Sequence, residues 1–140
     1  MHGRVYYLRE LRYGFEESRL CVRIDLFAEA LAEIDDPEFR VTIGGAQEVV
    51  VVVKLLRGHV VELGVEQNKV CLLNPKSVAE AAFERTLEIA LARDAVCPRG
   101  CKKLTLDVAL WHGGLPVDVL PASGLLEIAL GEDNFAWPLK

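Results

Sequence analysis

Residues 103–112 read Lys-Leu-Thr-Leu-Asp-Val-Ala-Leu-Trp-His, and every second residue from Leu104 to Leu110 is apolar. Successive side chains of a β-strand point to opposite faces, so this alternation predicts a strand with one face in a core and the other face open. Trp111 follows Leu110 by one position, which places it on the open face beside His112. The stretch decides the fold class because the same rhythm recurs along the chain.

Turn residues divide the rest of the chain into short segments of the same kind. The predicted strands are residues 4–13, 19–26, 39–43, 48–56, 59–65, 69–73, 83–91, 103–112, 117–120 and 125–130. Apolar residues at helical spacing over 27–34 predict one short helix. Residues 14–18 are predicted as a turn, 74–82 as a connector with weak helical character, and 94–101 as a crossing loop. We therefore expect one domain, residues 1–140, mainly β, folded as an antiparallel β-sandwich of about nine strands.

The predicted strand at residues 48–56 differs from the others because five valines follow one another in it. A strand that is apolar on both faces is normally covered on both, so we expect it at the centre of a sheet. This run is far too short to cross a bilayer, and no secretory signal is visible. We therefore expect a cytoplasmic protein with no membrane partner, with a fragment of a longer chain as the alternative. The net charge of −5, with acids and bases interspersed, argues against a nucleic-acid partner.

The chain has four cysteines, at positions 21, 71, 97 and 101. Cys21 and Cys71 fall in predicted strands, where a free cysteine behaves as a small apolar residue. Cys97 and Cys101 enclose Pro-Arg-Gly, a spacing that suits a disulfide or half of a metal site. A zinc site needs a second pair of ligands at a matching spacing, and none is evident. The sequence favours plain structural thiols, with a disulfide or a metal as the alternatives.

Residues that could carry out catalysis are not arranged for it. No glycine-rich loop opens a helix, and no serine lies in a nucleophile-elbow context. Paired acids occur at predicted turns, where solvated carboxylates are the default: Glu16-Glu17, Asp35-Asp36 and Glu132-Asp133. We expect no catalytic residues, no cofactor and no metal, with a structural Ca²⁺ at these turns as the alternative. The chain by itself is predicted not to be an enzyme.

Aromatic side chains offer one candidate binding site. Flat rings stack on sugar faces while polar neighbours bond the hydroxyl groups. The candidate carbohydrate-binding residues are Trp111, Tyr6 and Trp137. The alternative is that these aromatics belong to the core or to a contact with another domain. Tyr13 and Phe15 flank a tight turn and are expected to fill one end of the core.

Three segments, read in order, resemble one known family. Residues 11–25 (LRYGFEESRLCVRID), 83–91 (FERTLEIAL) and 115–128 (LPVDVLPASGLLEI) resemble strands and hairpins of the C-terminal β-domain of glycoside hydrolase family 57, the amylase and glucanotransferase group. Trp137 falls where that domain ends on a tryptophan. Similar strand patterns occur in family-9-type carbohydrate-binding modules.

The resemblance implies an accessory domain, because the catalytic residues of that family belong to an N-terminal barrel. On this interpretation the chain packs on the catalytic barrel of an α-glucan-active enzyme. It would also form a homodimer through an exposed apolar patch when the barrel is absent. Two alternatives stay open: a carbohydrate-binding module that binds α-glucan through exposed aromatics, and an autonomous protein-interaction sandwich.

Overall fold

The structure, a computed structural model, describes residues 7–97, 102–122 and 124–129, and for residue 31 the backbone alone. Eleven strands follow one another in the described residues: β1 (Leu8–Glu16), β2 (Arg19–Leu26), β3 (Glu38–Gly44), β4 (Glu48–Leu56), β5 (His59–Gln67), β6 (Val70–Cys71), β7 (Ala79–Phe83), β8 (Thr86–Ala92), β9 (Lys103–His112), β10 (Leu115–Leu120) and β11 (Leu126–Ala129). In the same described residues, the helical structure consists of α1 (Ala30–Glu33), α2 (Arg93–Val96) and a 3₁₀ turn at Pro75–Ser77.

The strands form two antiparallel sheets. The smaller sheet has the order β1-β2-β8-β7, and the larger sheet has the order β10-β9-β3-β4-β5-β6. Strand β11 pairs with the first half of β9, on the edge whose second half is paired by β10. The prediction of a mainly β, antiparallel sandwich is confirmed, with eleven strands where about nine were expected.

The core lies between the inner faces of the two sheets, as the alternation predicts. The inward residues of β2, β8 and β9 are all at most 2% exposed: Leu20, Val22, Ile24, Leu87, Ile89, Leu91, Leu104, Leu106, Val108 and Leu110. Phe15 is 1% exposed and fills the end of the core beside the first hairpin, as expected. Tyr13 is half-buried and packs against the same core.

Three segments differ from the sequence prediction. The first turn is shorter than expected, because Phe15 pairs with Leu20 inside the hairpin and Glu17 adopts a positive φ of 55°. The connector predicted at 74–82 contains strand β7, whose alanines favour a helix intrinsically but pair with β8. The crossing loop predicted from residue 94 begins with the four-residue helix α2.

The valine-rich strand β4 lies inside the larger sheet between β3 and β5, as predicted. Val49, Val51 and Val53 are fully buried on the core face. On the other face Val50 and Val52 are half-buried. The main contacts of β4 are with its neighbours β3 and β5. The half-burial of Val50 and Val52 means that the described residues cover this outer face only in part, where full covering was expected.

One buried carboxylate joins the two sheets. Asp118 on β10 is 4% exposed, and its Oδ2 accepts hydrogen bonds from the backbone N–H groups of Tyr7 and Leu8, both at 2.8 Å. Its Oδ1 accepts a third bond from the N–H of Val119 at 2.9 Å. Leu8 begins β1 of the smaller sheet, whereas Asp118 belongs to the larger one. The carboxylate therefore fixes the first strand of one sheet to the edge strand of the other.

Candidate functional site

The outer face of the smaller sheet forms a groove with a volume of about 740 Å³. Its floor contains small side chains on neighbouring strands: Cys21 on β2 lies opposite Ala90 on β8, and Ala82 lies on β7 next to β8. Six charged residues line the groove around this floor: Arg12, Arg19, Arg23, Glu16, Glu80 and Glu88. The groove exists because short side chains on three strands leave space between longer ones.

The arginine at one end of the groove is held by two carboxylates. Arg19 Nη2 lies 3.1 Å from Glu16 Oε1, and Arg19 Nη1 lies 3.7 Å from Glu80 Oε2. The hydrogen bond to Glu16 raises the pKa of Arg19, although partial burial opposes it. These pairs are exposed, so each contributes little to stability. Their structural effect is to fix the direction in which the guanidinium presents its remaining N–H groups.

At the other end, like charges lie opposite each other on β1 and β2. Arg12 pairs in register with Arg23, and Glu10 pairs with Asp25. Like charges directly opposite are unfavourable, but here each arginine has an acid two residues along its own strand. Arg12 Nη2 lies 3.0 Å from Glu10 Oε1, and Arg23 Nε lies 3.5 Å from Asp25 Oδ1. The hydrogen bond from Arg12 lowers the pKa of Glu10, so this carboxylate remains a charged acceptor.

The thiol of Cys21 lies at the centre of the groove floor and is free. Partial burial and then the nearby charge of Glu16 raise its pKa. A raised pKa keeps the sulfur in its unreactive protonated form at neutral pH. Cys21 is thus part of the floor and has no feature of a nucleophile. Cys71 is also free and lies exposed on β6, so both cysteines are free thiols within strands, as expected.

The outer face of the larger sheet is the second candidate surface, and we call its central residues, Thr42, Val50, Val52, Gly64 and Ala109, the valine face. Register pairing brings them together across four strands, since Thr42 lies opposite Val50 and Val52 lies opposite Gly64. Asp107 lies beside this centre, opposite Thr42. Partial burial raises the pKa of Asp107, and a hydrogen bond with Thr42 partly offsets that effect.

Charged residues surround the valine face. At one end Glu38, Lys54 and Glu62 lie side by side on β3, β4 and β5, and the Lys54 Nζ is within 3.9 Å of both carboxylates. At the other end Lys103 on β9 pairs with Glu127 on β11 at 3.8 Å. Charges also lie within the face, because Arg40 separates Ala109 from Val52 and Glu66 lies opposite Val50.

Trp111 lies on this same outer face, as the sequence predicts. It is half-buried and pairs in register with Glu38. The guanidinium of Arg40 stacks over its ring, with Cζ 4.3 Å from the ring centroid, and Arg40 Nε is held by Glu38 Oε2 at 2.6 Å. The Arg40 guanidinium therefore occupies one of the two faces of the Trp111 ring.

Tyr6 and Trp137, the other two candidate carbohydrate-binding residues, lie outside the described residues.

Sequence reasoning missed the groove and the role of Asp118. The groove residues come from strands β1, β2, β7 and β8, and no local motif marks them. The available signal is that β2 alternates Arg19, Cys21 and Arg23 on its outer face, where a small residue between two arginines marks a depression. The sequence around Asp118 does not predict its role, because the N–H groups of Tyr7 and Leu8 that it binds lie more than 100 residues earlier in the chain.

Cys97 is disulfide-bonded, which corrects the expectation that it is a plain thiol. It is 3% exposed, and Cys101 lies outside the described residues. In residues 7–97, 102–122 and 124–129, no three histidine, cysteine or acidic side chains are grouped so that they could hold a metal ion. None of the helices in that part of the chain is long and apolar enough to cross a membrane. The chain matches no protein-family model, no curated protein and no solved structure.

Proposed function

We propose that this chain is a non-catalytic accessory domain that docks on a partner domain through the valine face. The observation that carries the proposal is the pair of half-buried valines, Val50 and Val52, at the middle of that face, with the Arg40–Trp111 pair beside them. Apolar side chains beside an arginine and a tryptophan are typical of protein contacts. The family 57 resemblance suggests the partner: the catalytic barrel of an α-glucan-active enzyme.

The Arg40–Trp111 pair is the anchor of the valine face in this proposal. Arginine and tryptophan are the side chains that most often dominate the energy of a protein interface. Here Arg40 lies opposite Ala109 and Val52 at the centre of the sheet, and it is already oriented by Glu38. A side chain held in place before docking loses less entropy when the complex forms. Trp111 is therefore assigned to docking in preference to sugar stacking.

A carbohydrate-binding module acting through Trp111 is the second candidate. It is favoured by the half-exposed position of this ring on an open sheet face. Arg40 covers one side of the ring, so a sugar has access only to the other side. An autonomous protein-interaction sandwich would use the same valine face with a different partner, and partner identity separates it from the accessory domain.

Sedimentation of the 140-residue chain at several concentrations tests the proposal. Without its partner, the valine face should cover itself by pairing with a second copy, so we expect concentration-dependent dimerisation. Val52→Glu places a charge at the centre of the face and should weaken dimerisation at least about tenfold. Leu73→Glu is the matched control, because Leu73 is fully exposed outside the face and the same change there should have no effect.

The outcomes distinguish the candidates. A chain that remains monomeric at every concentration, or a dimer that both variants weaken equally, would contradict docking through the valine face. A monomer that binds maltoheptaose tightly, with binding lost in Trp111→Ala, would favour the carbohydrate-binding module. Dimerisation that only Val52→Glu weakens supports the docking proposal, and a co-purified barrel domain from the full reading frame would identify the partner.

A further inference from the structure

We propose that the groove on the smaller sheet binds an organic cation, a primary ammonium or guanidinium group on a short apolar stem, and that Glu88 holds the cation. The groove and the valine face lie on opposite outer faces of the sandwich, so this inference does not rest on the docking proposal. It rests on a carboxylate without a partner, on the reason why that carboxylate stays without one, and on the short side chains beside it.

Glu88 is an unpaired charge in the lining of the groove. It lies exposed in the middle of β8, and none of the described residues forms an ion pair or a hydrogen bond with it. The arginines of the groove already have partners: Arg19 pairs with Glu16 and Glu80, Arg12 with Glu10, and Arg23 with Asp25. Three arginines thus face five carboxylates when Glu88 is included, so the groove and its surroundings carry an excess of negative charge.

The position of Arg23 explains why Glu88 remains unpaired. The two residues lie directly opposite each other on β2 and β8, so register alone would pair them. Arg23 instead points along its own strand, and its Nε lies 3.5 Å from Oδ1 of Asp25. That oxygen is buried and accepts no hydrogen bond from the described residues. Leaving a buried charge uncompensated is strongly unfavourable, whereas water solvates an exposed carboxylate, so Arg23 stays with Asp25 and Glu88 stays open to a cation from outside.

Short side chains beside Glu88 leave room for the stem of the ligand. Ala82 on β7 lies directly opposite Glu88, and Ala90 follows Glu88 by two residues on the same face of β8. Ala90 in turn lies opposite Glu80, so Glu80 is the diagonal neighbour of Glu88 across the two strands. Long side chains in such a diagonal pair can reach a common partner. A cation between the two carboxylates would have both as acceptors, with its stem over the alanines.

The volume of the groove favours a cation carried by a peptide over a free amine. The groove measures about 740 Å³, which is within the range of about 300–1,000 Å³ that is usual for small-ligand sites. An alkylammonium ion alone would fill only a small part of it. A lysine or arginine side chain within a peptide brings the same cation and stem together with backbone amides that can fill the remainder. Exposed charge pairs are weak in water, so we expect a dissociation constant on the order of 1 mM.

Titration of the 140-residue chain with the acetylated and amidated tripeptide Ala-Lys-Ala, followed by amide chemical shifts, tests the inference. Saturable shifts are expected at Ala82, Glu88 and Ala90. The matched tripeptide Ala-Gln-Ala lacks the charge and should bind at least about tenfold more weakly. n-Butylamine has the same ammonium group and stem without the peptide groups, so it should shift the same amides with lower affinity. Equal affinity of n-butylamine would keep the groove as a cation site and assign it to free alkylamines.

A pair of matched variants tests the role of Glu88. Glu88→Gln keeps the size of an exposed side chain and removes its charge, so the fold should tolerate it and the affinity for Ala-Lys-Ala should fall at least about fivefold. Glu29→Gln is the control, because Glu29 is exposed outside the groove and the same change of net charge there should leave the affinity unchanged. Raising the salt concentration from about 20 mM to about 200 mM should weaken binding to the parent chain, because it screens exposed charges.

Several results would overturn the inference. The first is equal affinity for Ala-Lys-Ala and Ala-Gln-Ala, and the second is an affinity that Glu88→Gln does not change. The third is a set of shifts around Glu66, on the opposite face, as large as those around Glu88, since this would show only a general attraction to an acidic chain. All three would leave docking through the valine face intact, because sedimentation measures that property separately.

Discussion

Replacing Asp118 by alanine is expected to separate the edges of the two sheets and to destabilise the chain strongly. The carboxylate is 4% exposed and accepts bonds from the N–H groups of Tyr7, Leu8 and Val119. A hydrogen bond to a charged group contributes about 1.5–3 kcal/mol, and a buried donor left without a partner costs about 1–3 kcal/mol. Three such bonds are lost together and water can reach some of the exposed donors, so we expect a loss of about 3–5 kcal/mol.

Urea unfolding at neutral pH, followed by tryptophan fluorescence and by circular dichroism, measures this loss. Asp118→Asn keeps the shape and one acceptor oxygen, but its amide nitrogen cannot accept a bond, so its loss should be smaller, about 1–3 kcal/mol. Asp36→Ala is the control, because Asp36 forms an exposed contact with His112 at 3.4 Å that should contribute well under about 1 kcal/mol. A loss below about 1 kcal/mol for Asp118→Ala would refute the view that this carboxylate joins the sheets.

Three further predictions follow from the core, from the outer face and from the absence of a catalytic arrangement. Leu106→Ala should lower the free energy of unfolding by about 2–5 kcal/mol in urea, because Leu106 is fully buried opposite Ile43, and a loss below about 1 kcal/mol would contradict its place in the core. Asp107→Asn should be more stable than the parent chain at pH 7 and equal to it near pH 3. The raised pKa of Asp107 means that its ionised form destabilises the folded state, and this destabilisation disappears when the carboxylate is protonated. A stability difference that does not change with pH would contradict this explanation. Homogeneous protein should not hydrolyse maltooligosaccharides or starch, and turnover abolished by one point substitution in this chain would show otherwise.

The sequence predicted best those strands whose core and solvent sides alternate. Strand β9 was predicted with its observed bounds, because residues from Leu104 to Leu110 alternate without interruption and a shift by one residue would expose all four buried side chains. The bounds of strand β4 were predicted equally well, but the partial burial of its outer face was not. Val50 and Val52 are half-buried among the described residues, so a run of apolar residues does not by itself tell how completely the outer face of a strand is covered.

The features that escaped prediction depend on contacts between distant strands. The alanines of β7 favour a helix locally, and pairing with β8 overrides that preference. Arg12 and Arg23 are ordinary solvated residues in the sequence, and they become neighbours only when β1 pairs with β2. Trp111 was placed on the correct face, but the stacked Arg40 depends on the pairing of β3 with β9 and changes how that ring can be used.

The pairing of β3 with β9 also constrains how the chain folds. Val41 lies opposite Val108, so β3 gains its second neighbour in the larger sheet only after β9, residues 103–112, has been synthesised. Contacts of such high sequence separation slow folding, because the entropy of closing a long loop is lost before the pairing compensates for it. Until β9 arrives, β3 presents an unpaired edge with apolar Phe39, Val41 and Ile43. A nascent chain is therefore most prone to aggregate after β3 has emerged from the ribosome and before β9 has emerged. A chaperone that recognises extended apolar segments would act in that interval.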